Sequence, residues 1–351
     1  MKPAANPAQA SPLPSPQNLR HNFTKSLQVA VRPSRVFWSG QRDRRYNEAH
    51  DVISRRSLLK GVGAFLAGGL GVGGYALAVE PLRLAVTRYR VTPAGWPRGL
   101  NLKIAALADL HACEPWMSAD RIAQIADQTN ELGADLVVLL GDYAANHPYV
   151  TRAVAAEAWA GALSHLRAPL GVHAVMGNHD WWDDRTAQRR GRGPVVGRRA
   201  LEKNGIPVYE NDAVRLRKDG RAFWLAGLGD QLALLGGKRW GRRHTTGVDD
   251  LPATLTKVTD DAPVLLLAHE PDVFPKVPAR ISLTLSGHTH GGQVRLFGYA
   301  PVVPSRYGNR YVYGHVVEEG RHLVVSGGLG CSTVPVRLGM PPEIVLVDVG
   351  A

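Results

Sequence analysis

"LKIAALADLH", Leu102 to His111, is the stretch whose reading decides the fold. It starts as a short apolar run of the length expected for a strand and ends, just past its last apolar position, in Asp109 and His111. The same arrangement recurs down the chain. "DLVVLLGDY" (135–143) ends at Asp142, "GVHAVMGNHD" (171–180) at Asn178, His179 and Asp180, "APVLLLAHE" (262–270) at His269, and "ISLTLSGHTH" (281–290) at His288 and His290. Helix-like segments separate several of these runs. In "SADRIAQIADQTNELG" Ser118 is placed to cap a helix, Ile122 and Ile125 share one face, and Gly133 is a stop. An alanine-rich segment over about 150–167 reads as a second, longer helix. Strands alternating with helices make an α/β fold, and in such sheets ligand-binding groups gather outside the carboxyl ends of the strands.

Asp109, His111, Asp142, Asn178, His269, His288 and His290 are therefore expected on one rim. Taken singly, each has an ordinary reading: an Asp after a strand is usually a turn residue or cap, and a lone His is more often structural than a ligand. Five such endings in order make joint coincidence the poorer account. The donors mix oxygen and nitrogen, which suits Mn, Fe or Zn better than a pure Ca or Mg cage. Seven ligands are too many for one catalytic ion with an open position. Two ions about 3.5 to 4 Å apart, sharing a carboxylate, would use them all. The "GHTH" spacing fits this, because residues i and i+2 of an extended chain project to one side about 6 to 7 Å apart. His21, His50, His147, His165, His173, His244, His315 and His322 have no such context and read as structural or surface residues.

The formal net charge is +12, but residues 1–60 hold 11 Lys and Arg against 3 Asp and Glu, so most of the basicity is N-terminal. With no nucleic-acid motif beside it, that charge does not imply a nucleic-acid partner. Residues 1–53, rich in Pro, Ser, Asn and Arg, read as a disordered extension. "SRRSLLK" (54–60) resembles a twin-arginine export signal, followed by a mildly apolar segment carrying seven glycines between Gly61 and Val79. Residues 54–79 are thus expected to be a signal peptide, with a membrane anchor as the competing reading. Ala76-Leu77-Ala78 offers a small-x-small cleavage site. Export to the periplasm or cell envelope by the twin-arginine machinery, with association at the inner membrane, follows as an expectation. Cys113 and Cys331 form no framework; unpaired small residues are the simpler reading, with a role for Cys113 beside His111 left open.

"DLH", "GDY", "GNHD", "AHE" and "GHTHGGQ", in that order over roughly Leu102 to Gln293, resemble the signature blocks of calcineurin-like metallophosphoesterases. "PSRYGNRYVYG", "VSGGLGCSTVPVR" and "PPEIVLV" resemble a bacterial subgroup that often carries twin-arginine signals. "GDYAAN" departs from many relatives, which place a further acidic residue after the GD pair. The resemblance implies that Asp109, His111 and His290 hold one divalent ion, that Asn178, His269 and His288 hold the other, and that Asp142 bridges them. A metal-bridging hydroxide would attack phosphorus, His179 would protonate the leaving group, and Asp180 would hold the His179 ring. The substrate would be a phosphodiester, phosphomonoester or pyrophosphate, small or lipid-linked. Trp181-Trp182 and the basic runs "RRGRGPVVGRR" and "KRWGRR" frame a cleft on one reading and are a core residue and solvated loops on the other.

Residues 80–351 are expected to form one catalytic domain: a four-layer α/β/β/α sandwich of two mixed sheets with a dinuclear metal site at the strand ends. "GHVVEEGRHLVV" (314–325) reads as a hairpin turning at Glu318–Gly320. A catalytically inactive metal-binding or membrane-tethered interaction module on the same fold is the alternative, though a degenerate member should have lost ligands, none of which is missing here, and an interaction module would have no need of His179.

Overall fold

The computed structural model describes residues 55–145, 147–239 and 242–351. The extension expected over 1–53, and Ser54 of the arginine motif, lie outside the described residues. Arg55–Ala351 form one compact unit.

Two mixed sheets make its centre. The first has the order β1 (Ala85–Val91), β15 (Glu343–Val349), β2 (Leu102–Leu107), β4 (Leu136–Leu139) and β6 (Val172–Ala174). The second has six strands: β13 (Gly314–Glu318), β14 (Arg321–Val325), β12 (Ile281–Ser286), β11 (Val264–Leu267), β8 (Arg221–Gly227) and β7 (Asp212–Lys218). β2, β4 and β6 run parallel in the first sheet, as do β8, β11, β12 and β14 in the second. Two short ribbons, β3 (Cys113–Glu114) with β5 (Arg152–Ala153) and β9 (Leu234–Arg239) with β10 (Arg242–Thr246), complete the strands.

Alternating side chains sort the core into layers, as a period of two requires. Ile104, Ala106, Leu136 and Val138 of the first sheet meet Leu265, Leu267, Leu283 and Leu285 of the second between the sheets. Ala105, Leu107, Val137 and Leu139 point the other way, against Ile122 and Ile125 of α2 (Ala119–Glu131) and Trp159 and Leu163 of α3 (Ala156–Leu163). Val264, Leu266, Leu323 and Val325 face outward from the second sheet, under α7 (Leu251–Thr256) and the short 3₁₀ turn Pro271–Lys276. The result is the four-layer sandwich, with a thin outer layer over the second sheet. Ser118 caps α2 by accepting from Arg121 N–H. The hairpin turns through Glu319 and Gly320, both at positive φ.

Two expectations change. The helix foreseen over about 150–167 is only Ala156–Leu163, because Arg152 and Ala153 pair with Cys113 and Glu114 instead. The segment expected as a signal peptide, with an anchor as the competing reading, forms the helix α1 (Arg55–Ala78), and no described helix is long and apolar enough to cross a membrane. Its glycines dilute the apolar surface. α1 joins the unit at its last turn, where Arg337 N–H donates to Ala76 O.

Candidate metal centre

The five runs split between the sheets, three as β2, β4 and β6 and two as β11 and β12, yet they deliver their polar ends to one place. Backbone hydrogen bonds stitch the ends together. Asp109 N–H donates to Gly141 O, His111 N–H to Asp142 O, and Gly287 N–H to His269 O, each at 3.0 Å. Asp109, His111, Asp142, His288 and His290 all adopt positive φ, between 47° and 68°. For residues with a Cβ this left-handed conformation costs on the order of 1 kcal/mol or more each. These five residues follow β2, β4 and β12, so the chain is bent sharply at three of the five strand ends, which turns their side chains into the same space. Gly177 makes the approach close enough: a Cβ there would overlap Asp142 Oδ1 and would lie 2.7 Å from the His269 ring.

All seven predicted ligands come together, and all are buried. Asp142 Oδ2 lies 3.6 Å from His111 Nε2 and 3.3 Å from His269 Nε2, between two groups of donors. On one side Asp109 Oδ1 lies 3.7 Å from His290 Nε2, whose ring nitrogen is 3.0 Å from His111 Nε2. On the other, His288 Nδ1 is 2.9 Å from Asn178 Oδ1. Asp109, His111 and His290 have donor atoms within 4.8 Å of one another, as do Asp142, His269 and His288.

The outer nitrogens show that these residues suit metal ions. His111 Nδ1 donates to Ala144 O at 3.2 Å, His269 Nδ1 to Leu140 O at 2.6 Å, and His288 Nε2 to Pro304 O at 2.9 Å. A carbonyl can only accept, so each bond fixes the tautomer and turns the other nitrogen into the site. Metal-ligating histidines are held in this way. His269 Nε2 is buried and faces Asp142 Oδ2 at 3.3 Å, a ring nitrogen and a carboxylate oxygen turned toward one another where both could hold a cation.

Protonation in the metal-free chain agrees. Burial, with its neighbouring charges, pushes His111 down to about 3 and lowers His288 and His290, so these three rings are neutral and ready to donate a lone pair. Burial lifts Asp109 to about 7. Asp142 is held well below the ordinary carboxylate range by His269, His179 and His111 against the pull of burial, and it raises His269 well above the usual imidazole value in return. A proton on His269 occupies the place a divalent ion would take.

His179 follows Asn178 at the start of α4 (Asn178–Trp182). Its N–H donates to Asp142 Oδ1 at 2.8 Å, and its ring stands edge-on to His111 with centroids 4.9 Å apart. Asp180 differs from the expectation that it holds that ring. Its Oδ2 accepts from Gly177 N–H at 2.9 Å and Asp142 N–H at 3.0 Å, and its Oδ1 from Tyr143 N–H at 2.9 Å. Placed at the third position of a helix only five residues long, its carboxylate reaches back to the free amides of the first turn and of the Asp142 loop. It braces the backbone that carries Asp142.

Trp181 is a core residue, wholly buried, whereas Trp182 stands beside His179 with ring centroids 5.1 Å apart. Cys113 and Cys331 are free and buried, and burial pushes the Cys113 thiol up to about 11, so it keeps its proton at neutral pH.

Three features escaped the sequence reading. His147, set aside there, is buried with Nε2 unpartnered, and burial and the nearby His179 lower its pKa; its place five residues after Asp142 in the same loop was the available clue. Arg337 is fully buried, donates to the carbonyls of Gly327, Gly330 and Met340, and sets Nη2 3.4 Å from His290 Nδ1. Asp230 and Glu270, both buried, form a further group with His269, and burial beside Glu270 raises Asp230 well above its usual range.

Residues 102–318 match the family model described as calcineurin-like phosphoesterase. The chain belongs to that family. It is 31% identical over 301 residues to an uncharacterized metallophosphoesterase, YkuE, of Bacillus subtilis, covering 84% of this chain and 96% of that one. It is 29% identical over 275 residues to an uncharacterized metallophosphoesterase of Aquifex aeolicus, covering 77% and 94%. A phosphodiesterase of Escherichia coli, YaeI, is 30% identical over 304 residues, covering 85% and 99%. The protein is accordingly a metal-dependent phosphoester hydrolase of a family that uses divalent ions.

Proposed function

We propose that the chain hydrolyses a phosphodiester with two divalent ions, Mn, Fe or Zn, held on Asp109, His111 and His290 and on Asn178, His269 and His288, with Asp142 between them. The observation that carries this is the buried, inward-facing Nε2 of His269, 3.3 Å from the Asp142 oxygen that also faces His111. Bound there, such ions supply Lewis acidity at the phosphoryl oxygens and an acidified water. The protein's own part is positional. Three backbone carbonyls fix the imidazole tautomers, and Asp180 holds the Asp142 loop. His179, beside the shared carboxylate and less buried than the ligands, is placed to give a proton to the departing alcohol, a contribution of about 10²- to 10⁴-fold.

A diester is favoured because the relative from Escherichia coli is named a phosphodiesterase; monoesters and pyrophosphates, small or lipid-linked, are the other substrates of the same chemistry. The purified chain, loaded in turn with Mn, Fe and Zn, is to be assayed on bis(p-nitrophenyl) phosphate and p-nitrophenyl phosphate. Metal-dependent turnover with the diester ahead supports the proposal; a monoester preference overturns the diester reading, and metal binding without turnover of either overturns the catalytic one. The paired Arg55 and Arg56 at the start of a mildly apolar helix support export by the twin-arginine route into the periplasm or envelope. Arg55→Lys with Arg56→Lys keeps the charge, and retention of that variant inside the cell is the expected result; normal export would remove the pair as the signal.

A further inference from the structure

An apolar groove opens beside the metal centre. It encloses about 450 Å³, within the range of small-molecule sites, and His290 and Thr289 form the end nearest the metal ligands. Val294, Pro301, Val302 and Val334 line the rest, and no Lys, Arg, Asp or Glu is among its lining residues. Pro304, whose carbonyl fixes the His288 tautomer, is part of the same wall. The walls are preformed. Gln293 Nε2 donates to Val334 O at 2.9 Å and Val336 O at 3.1 Å, and its Oε1 accepts from Ser332 N–H, which ties the two sides together. Asn309 exchanges two hydrogen bonds with the Ala300 backbone, at 2.9 and 2.8 Å, and so fixes the far wall.

The segment forming that wall also carries an exposed apolar hairpin, held by Arg295, whose Nη2 donates to Gly298 O at 2.7 Å. Leu296 and Tyr299 exchange backbone hydrogen bonds around Phe297 and Gly298, with φ of 52° and 84° at the two turn residues. Such a turn favours Asn or Gly at its first position, yet here a fully exposed phenylalanine occupies it. Leu296 is 51% exposed, Tyr299 63% and Val302 75%. An aromatic held in a strained turn and turned entirely to solvent, among other exposed apolar side chains, marks a surface that meets an apolar partner.

We infer that the groove takes the hydrocarbon chain of the phosphoester substrate, with the phosphorus at the paired ligands and the Leu296–Tyr299 hairpin dipping into the lipid layer that supplies it. This rests on the phosphoesterase reading of the metal centre. The occupant follows from continuity. His290 belongs both to the proposed ligand set and to the groove lining, and Pro304 of the same wall holds the His288 ring, so a substrate bound at the metals extends naturally into the groove, and walls without charge suit an apolar extension.

The test is a series of p-nitrophenyl alkyl phosphodiesters, from methyl to octyl, assayed below their micelle concentrations with the metal-loaded chain. kcat/KM should rise roughly two- to fourfold per added methylene, chiefly through KM, and level off when the groove is full. Val302→Asp, at an exposed position, should flatten that dependence, and Phe297→Ser should weaken co-sedimentation with phosphatidylglycerol vesicles. A flat series in an enzyme that turns over the methyl ester would overturn the groove and leave the phosphoesterase standing, as would a chain dependence untouched by Val302→Asp. Unchanged vesicle binding by Phe297→Ser overturns the lipid layer as the source. No hydrolysis of any member, the methyl ester included, overturns the underlying reading.

Discussion

Asp180→Asn separates bracing of the Asp142 loop from orientation of His179. The carboxylate accepts three backbone N–H bonds, at 2.9 and 3.0 Å on Oδ2 and at 2.9 Å on Oδ1. An amide has one carbonyl oxygen. Facing Gly177 and Asp142 it keeps two bonds and points its NH₂ at the Tyr143 N–H; reversed, it keeps one. Burial beside Asp142 lifts Asp180 to about 7, so the comparison is made above that pH, where even the better rotamer loses one bond to a charged acceptor in a site only 6% exposed, and such bonds contribute about 1.5 to 3 kcal/mol each. The metal-stripped variant should therefore be less stable by about 2 to 3 kcal/mol in chemical denaturation, and should retain metal poorly in a chelator. Its activity loss should be similar for good and poor leaving groups, because the displaced group is Asp142. Unchanged stability combined with a loss confined to poor leaving groups would refute this and assign Asp180 to the His179 ring.

Further outcomes follow from the same geometry. His290→Ala should lower metal content and activity together, since it opens a coordination position, as read by metal analysis beside turnover. His179→Ala should keep its metals and slow hydrolysis most for leaving groups of high pKa; equal slowing across a graded series, or loss of metal, would assign the acid elsewhere. Metal affinity should climb with pH across the neutral range. The metal-free centre holds protons on His269, raised well above its usual value, and on Asp109, lifted to about 7. An entering ion must displace them, so affinity rises by about tenfold per pH unit for each proton released, and titration calorimetry in buffers of different ionisation enthalpy would register that release.

The sandwich and the convergence of the seven candidate ligands were legible because strands alternate with helices and several apolar runs end in Asp, Asn or His. Ile104, Ala106 and the alternation through Leu139 report burial on both faces, and a polar residue just past the last apolar position of such a run marks a strand end. What periodicity does not carry is the partner. The adjacency of Asp180 to His179 suggested contact, but a short helix sends successive side chains in different directions, and its carboxylate went to the amides of Gly177, Asp142 and Tyr143. Arg337 reaches His290 from 47 residues away in sequence, with nothing local to announce it. The helix near residue 150 was overextended because alanine content reports propensity, whereas pairing of Arg152 and Ala153 with β3 is a tertiary event.

The account turns on two ions sharing Asp142, and anomalous scattering from crystals of the Mn-loaded chain tests it most directly. His269 could serve either Asp142 or the buried Asp230–Glu270 pair, since both groups lie within ligand reach of it. The account predicts two peaks about 3.5 to 4 Å apart, one among Asp109, His111 and His290 and one among Asn178, His269 and His288, with Asp142 Oδ2 between them. A single peak, or a peak among Asp230, His269 and Glu270 in an enzyme that still hydrolyses a phosphodiester, would contradict it.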